Sequence, residues 1–167
     1  MNAFDRQAVP EYSAQPRPPG QLDRSLPIAL LRAREAIMTR FRPLLAEHGM
    51  TEQQWRVMRV LQEQSPLDAS CVAARACVLA PSLTRMIKTL RDRRFVERMR
   101  DSGDARRSML SITPEGLAFI EMLVPAALDI HDAIRSRYGA ERMEILIDML
   151  NDLADFEPAA HDRERAP

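Results

Sequence analysis

The chain has 167 residues, with 24 Lys or Arg against 24 Asp or Glu, 46% hydrophobic and 5% aromatic residues. That length suits one domain with a sizeable core, and that composition excludes a disordered chain and favours helix. The sequence has no run of 18 apolar residues, so no transmembrane helix is expected, and the polar, Pro-containing N-terminus has no apolar signal core, so a cytoplasmic protein without a membrane partner is expected.

Residues 1–22, with Pro10, Pro16, Pro18, Pro19 and Gly20 among polar residues, read as a flexible arm. Its Arg6 and Arg17 leave open a contact with DNA. A long helix begins near Asp23, with Asp23 or Ser25 as cap and Pro27 in the first turn. Leu26, Leu30, Ala33, Ile37, Phe41 and Leu44 form one apolar stripe, and Ile28, Leu31, Met38 and Leu45 a second. One small lobe covers one stripe, so the second is expected to meet another copy of the chain. Pro43 is expected to bend this helix near its end.

His48-Gly49 closes the first helix, and Thr51-Glu52-Gln53-Gln54 opens the next with a capping-box pattern. That helix runs to about Gln64, where Ser65-Pro66 stops it. It holds the single tryptophan, Trp55, with Arg59 four residues on and on the same side. Two readings stand. Either Trp55 stacks on an aromatic ring while Arg59 grips its carboxylate, or Trp55 packs half-buried between lobes beside a surface arginine.

From Asp68 to Thr113 the pattern is two short helices, a strand, a charged tip and a second strand, which reads as a winged helix-turn-helix that binds duplex DNA. Asp68 caps the first short helix, whose apolar side is Cys71, Val72 and Ala74. Two cysteines, Cys71 and Cys77, are too few for a disulfide framework, and Cys71 is expected as a small core residue. In the second helix, Pro81 to Arg93, Leu83, Met86, Ile87 and Leu90 fall at i, i+3, i+4, i+7. Ser82, Thr84, Arg85 and Lys88 then point outward, hydroxyls and cations suited to phosphates and base edges of a major groove. Phe95 to Arg100 and Met109 to Thr113 are the strands of a hairpin, with Arg106 and Arg107 at or near its tip.

Charge agrees with this assignment. Between Arg75 and Arg107 there are ten Lys or Arg and four Asp or Glu, a net of +6, against −6 for the remainder. A basic module in an acidic frame is the footprint of a nucleic-acid binder, although any one arginine is equally a solvated surface group.

Thr113-Pro114 opens a long helix to about Tyr138, with Pro125 expected to kink it. After Gly139 a last helix runs from Ala140 to Phe156, with Met143, Leu146, Ile147, Leu150 and Leu153 facing inward. These terminal helices are apolar enough to intertwine with a partner's copies, so a homodimer is expected. The tail from Glu157 reads as loose.

From Leu26 to Phe156 the sequence resembles the MarR-type transcriptional regulators. The wing carries much of the likeness, through Asp104, Arg106, Arg107 and the closing run Leu110-Ser111-Ile112-Thr113-Pro114-Glu115-Gly116. The runs SLPIALLRAREAIMTRFRP, MTEQQWRVMRVL, RAC and PSLTRM are similar to the subgroup that represses homoprotocatechuate and related aromatic-acid operons. Gly103 departs from the pattern, since many members place an arginine there. Some family members sense peroxide through a cysteine near the start of the first helix, and this sequence has none there.

The expectation is a mainly α protein with a small β-hairpin wing: an arm at 1–22, a domain at 23–156 and a tail at 157–167. Helices at about 23–47 and 114–156 would dimerise it, around a winged helix-turn-helix at about 51–113. It would be a repressor on a pseudo-palindromic double-stranded DNA operator, with half-sites about one helical turn apart. DNA contacts are expected from Arg75, Ser82, Thr84, Arg85, Lys88, Arg106 and Arg107, with Arg106 in a narrow minor groove and Asp104 orienting it. The resemblance implies release by a small aromatic acid bound between the lobes, with Trp55, Arg59 and Ser25 of the other subunit as contacts. His131 is a weaker candidate, because it lies on the stripe Leu117, Ile120, Val124, Ala127, Ile134, Tyr138, where a lone histidine is more often a packed residue.

An enzyme is not expected. His48, His131 and His161 have no metal-ligand spacing, and neither a phosphate loop nor a nucleophile elbow occurs, so no cofactor is expected. A DNA binder without an effector, or a helical adaptor, are the rival readings. The adaptor leaves the +6 module unexplained.

Overall fold

The computed structural model describes residues 25–100 and 108–155. The expected arm, the expected tail and the wing tip with Asp104, Arg106 and Arg107 lie outside the described residues. The chain divides into two compact units at Ala36–Ile37, within the first helix. The elements in order are α1 (Leu26–Glu47), α2 (Glu52–Glu63), β1 (Leu67–Asp68), α3 (Ala69–Arg75), α4 (Ala80–Asp92), β2 (Val96–Arg100), β3 (Ser108–Ile112), α5 (Pro114–Tyr138) and α6 (Ala140–Ala154).

The starts of α2, α3 and α5 follow side-chain chemistry. Thr51 and Gln54 form a reciprocal capping box, with Thr51 N–H donating to Gln54 Oε1 at 2.9 Å and Gln54 N–H donating to Thr51 Oγ1 at 3.2 Å. Asp68 caps α3 by accepting from Ser70 N–H at 2.7 Å, and Thr113 caps α5 by accepting from Gly116 N–H at 3.0 Å. Ser25 directly precedes α1 and its carbonyl accepts from Ala29 N–H at 2.8 Å. Pro43 and Pro125 are each carried inside a continuous helix.

Three helix ends share one device. After α1, α3 and α4 a residue with positive φ closes a pair of hydrogen bonds back to the last turn: Gly49 (61°), Cys77 (50°) and Arg94 (60°). Only the first is glycine. An L-residue in this conformation is strained by about 1–2 kcal/mol. Cys77→Gly is therefore expected to raise stability by about 0.5–1 kcal/mol, after its larger unfolded-state entropy is subtracted. Chemical denaturation of the two proteins measures it.

The sheet is antiparallel with strand order β1-β3-β2, and Leu110 of β3 is flanked by Leu67 of β1 and Arg98 of β2. The hairpin matches the expectation, and β1, two residues long, is a further strand that was not expected. Beneath the sheet the core gathers Val57, Met58 and Leu61 of α2, Val72 and Ala73 of α3, Leu83, Met86, Ile87 and Leu90 of α4, and Ile120 and Leu123 of α5.

Three expectations need correction. Cys71 is exposed, and α3 buries Val72, Ala73 and the following Ala76 instead of Cys71, Val72 and Ala74. A helix of seven residues gives too few apolar positions to fix its rotation, and the contact with α2 and α4 decides it. His131 is exposed rather than packed. None of α6 is buried within the chain: Met143, Leu146 and Leu150 are half-covered, and Ile147 and Leu153 are 40% and 43% exposed. The α6 stripe exists, but the described residues of the chain leave it only partly covered.

Candidate nucleic-acid interface

α4 is held from below and presented from above. Its four buried residues lie on one stripe, while Thr84, Arg85 and Lys88 are exposed and Ser82 is half-buried. Leu79 takes the cap position without a side-chain hydrogen bond, and Pro81 occupies the first turn, where its missing N–H costs nothing. Thr84 Oγ1 donates to the Ala80 carbonyl at 3.3 Å, which leaves its lone pairs available to an outside donor.

Between α4 and the wing strand runs a cleft of about 230 Å³ lined by Ala69, Leu83, Thr84, Ile87, Lys88, Arg91, Arg98 and Leu110. Lys88, Arg91 and Arg98 bring three cations to it, and among the described residues no carboxylate lines it. Those three also line the adjoining space toward Arg94, where Asp92 and Glu97 join them. Arg91 and Arg98 were not singled out from sequence. Arg91 was within reach, since Thr84, Lys88 and Arg91 repeat at i, i+4, i+7, whereas Arg98 needed the strand register.

Arg75 lines neither of these spaces. Its Nη2 pairs with Glu63 Oε2 at 2.7 Å and its Nη1 donates to Gln64 Oε1 at 2.8 Å, tying the end of α3 to the end of α2.

On α2, Trp55 is half-buried against the core and the Arg59 guanidinium lies 5.9 Å from the centre of its ring. The expected pair is therefore adjacent. Arg59 also lines an open cleft with Val60, Gln62 and Glu63. His131 on α5 lies 3.8 Å, through Nδ1, from Asp132 Oδ1. Among the described residues no group of three or more His, Cys, Asp and Glu is placed to hold a metal ion, and no single helix is long and apolar enough to cross a membrane.

Comparison with known proteins decides the family. The MarR family model matches residues 50–108. The HTH-type transcriptional regulator FarR of Neisseria gonorrhoeae is 42% identical over 135 residues, covering 81% of this chain and 92% of that protein. The chain belongs to the MarR family. This MarR protein is a DNA-binding transcriptional repressor with a winged-helix fold. The homoprotocatechuate degradative operon repressor of Escherichia coli is 38% identical over 128 residues, 77% of the MarR chain described above and 86% of that repressor. The crystal structure of NadR in complex with 4-hydroxyphenylacetate superposes with a TM-score of 0.74 at 40% identity, over 84% of this chain and 100% of that one.

Proposed function

We propose that the protein works as a homodimer on an imperfect palindrome and leaves it when a small aromatic carboxylic acid binds. The observation that carries the DNA part is α4, which buries its apolar stripe completely and turns Ser82, Thr84, Arg85 and Lys88 outward beside a cleft with three cations. Two such helices, related by a two-fold axis, enter successive major grooves about one helical turn apart. Lys88, Arg91 and Arg98 then face the sugar-phosphate backbone that runs between helix and wing. Arg106 enters the flanking minor groove, Asp104 orients it, and Arg107 adds a phosphate contact. Arg75, engaged with Glu63, supports α3 and adds positive charge at its end.

The dimer is supported by apolar surface left uncovered in one chain. Leu26, Leu30, Leu31 and Ile37 of α1, Met122 and Leu128 of α5, and Ile145, Ile147, Met149 and Leu153 of α6 are all exposed. Patches of this kind on the outer helices call for a second copy.

The acid site is built on Trp55 and Arg59, with Ser25 of the other subunit and His131 as further contacts. Its support is the adjacency of an indole face and a guanidinium on α2, together with a 40% identical relative whose structure holds 4-hydroxyphenylacetate. An acid loosens the operator complex only if it binds the operator-free arrangement more tightly. Trp55 emission, titrated with 4-hydroxyphenylacetate, homoprotocatechuate and 6-hydroxynicotinate, tests the site. One acid should change the emission saturably, and Arg59→Ala should weaken its binding by roughly 10- to 100-fold, the loss of one charge-assisted pair. Emission that ignores the whole panel would leave a DNA binder without this effector pocket.

A further inference from the structure

Outside the interface, Arg93, the residue that ends α4, joins several elements. Its Nη1 donates to the Gly49 carbonyl at 2.9 Å and its Nη2 donates to the His48 carbonyl at 3.0 Å. Both carbonyls belong to the end of α1, where unpaired acceptors and the negative end of the helix dipole favour a cation. The guanidinium also lies 4.5 Å from the centre of the Phe95 ring and 5.2 Å from that of Phe119. Those two rings stack at 4.6 Å, and the His48 ring meets Phe119 edge-on at 6.1 Å. One planar group therefore joins the end of α4, the entry to β2, the α1–α2 corner and α5.

This placement has a geometric consequence. Ile37 of α1 and Met122 and Leu128 of α5 carry uncovered apolar surface assigned above to the second copy, whereas α4 carries the proposed DNA face. Whatever fixes α4 against the ends of α1 and α5 also fixes how far apart two α4 helices stand in the dimer. We propose that Arg93 is a positioning residue for operator recognition: its fork on the α1–α2 corner sets the separation at which the paired α4 helices meet the two half-sites. The inference rests on the dimeric operator reading. It also gives α2 a route to α4, because Gly49 lies two residues before the Thr51 cap of the helix that bears Trp55 and Arg59.

Lysine keeps the charge of Arg93 but has neither the planar fork for two carbonyls nor the flat face for two rings. The test compares wild type and Arg93→Lys on three duplexes: one from the promoter region beside the protein's own gene, the same duplex with one base pair inserted between half-sites, and a scrambled control. Wild type should bind the first far more tightly than the other two. Arg93→Lys should lose about tenfold on the first, a coupling of ordinary size, and should show a smaller penalty for the insertion. Its affinity for scrambled DNA and its salt dependence should match wild type, since no phosphate contact is removed.

A lower melting temperature with an unchanged affinity and insertion penalty would make Arg93 a stabilising residue only, and would overturn the proposal. Wild type that fails to discriminate the duplexes sinks the dimeric operator reading and the proposal with it. Should Arg93→Lys not fold, hydrogen exchange of the wild type decides: operator DNA should slow exchange at residues 48–50 along with α4, and slowing confined to α4 and the wing would overturn the inference.

Discussion

Arg85→Ala should lower operator affinity by roughly 30-fold to 10⁴-fold while leaving the fold intact, because a lost base-edge contact costs about 1–3 kcal/mol and a symmetric dimer loses it twice. The reason lies in the opposed faces of α4. Leu83, Met86, Ile87 and Leu90 are buried, so the helix cannot rotate, and Arg85 is held outward. Alanine is the best helix former, and Arg85 makes its local backbone contact through its carbonyl, which accepts from Thr89 Oγ1 at 3.4 Å and survives the change. Stability should stay within about 0.5 kcal/mol of wild type, as for an exposed position.

Lys88→Ala gives the contrasting signature. On the proposed reading Lys88, which lines the cleft with Arg91 and Arg98, would meet phosphate and carry no sequence information. Its loss should weaken operator and scrambled DNA alike and lower the salt slope by about one per protomer. Equal effects of both variants on operator and scrambled DNA would place Arg85 on the backbone as well.

Gly116→Ala is the second change with a large expected effect, and it acts on the fold. A β-carbon at this position would stand 2.3 Å from the Phe95 carbonyl oxygen and 2.9 Å from Ile112 Cγ1. The first of these is backbone and is itself engaged, since Phe95 O accepts from Thr113 N–H at 3.0 Å. The first turn of α5 must therefore move away from the junction of α4 and β2, taking with it the Thr113 cap and Phe119. Strain of this kind costs about 1–3 kcal/mol, and more where the neighbour cannot yield. Denaturant unfolding should show that loss, with the midpoint falling at unchanged slope. A midpoint equal to that of wild type would mean that α5 does not approach Phe95 as closely as described.

Much of this was legible in the sequence because it depends on local chemistry. The Thr51, Asp68 and Thr113 caps follow from which residue types can accept from a helix N-terminus. The α4 stripe follows from a 13-residue helix, long enough for the 3.6-residue period to fix its rotation. α3, at seven residues, was too short, and its rotation was read one position off at Cys71. β1 consists of Leu67 and Asp68, too few for alternation to appear, and exists because Leu67 pairs with Leu110. The left-handed ends at Cys77 and Arg94 carry no glycine to announce them. Arg93 escaped notice because its partners lie 44 and 45 residues away and are backbone carbonyls, which have no sequence signature.

The candidate site divides in the same way. The hydroxyls and cations of α4 could be named from spacing alone, and Trp55 with Arg59 from an i, i+4 relation that the structure reproduces. The cleft cations Arg91 and Arg98 required tertiary structure, since one lies on a helix and the other on a strand. The α6 residues expected to face inward are not buried, because spacing places residues on one helix face but does not say what covers that face: Met143, Leu146 and Leu150 are half-covered and Ile147 and Leu153 exposed.

The central claim is that the protein binds a defined operator and that an aromatic acid releases it. Fluorescence anisotropy of the purified protein with duplex from the promoter region beside its own gene, with and without the acid panel, tests it directly. The account predicts saturable binding that excess competitor DNA does not remove and that one acid weakens. Binding that falls with salt, prefers no sequence and ignores every acid would contradict it.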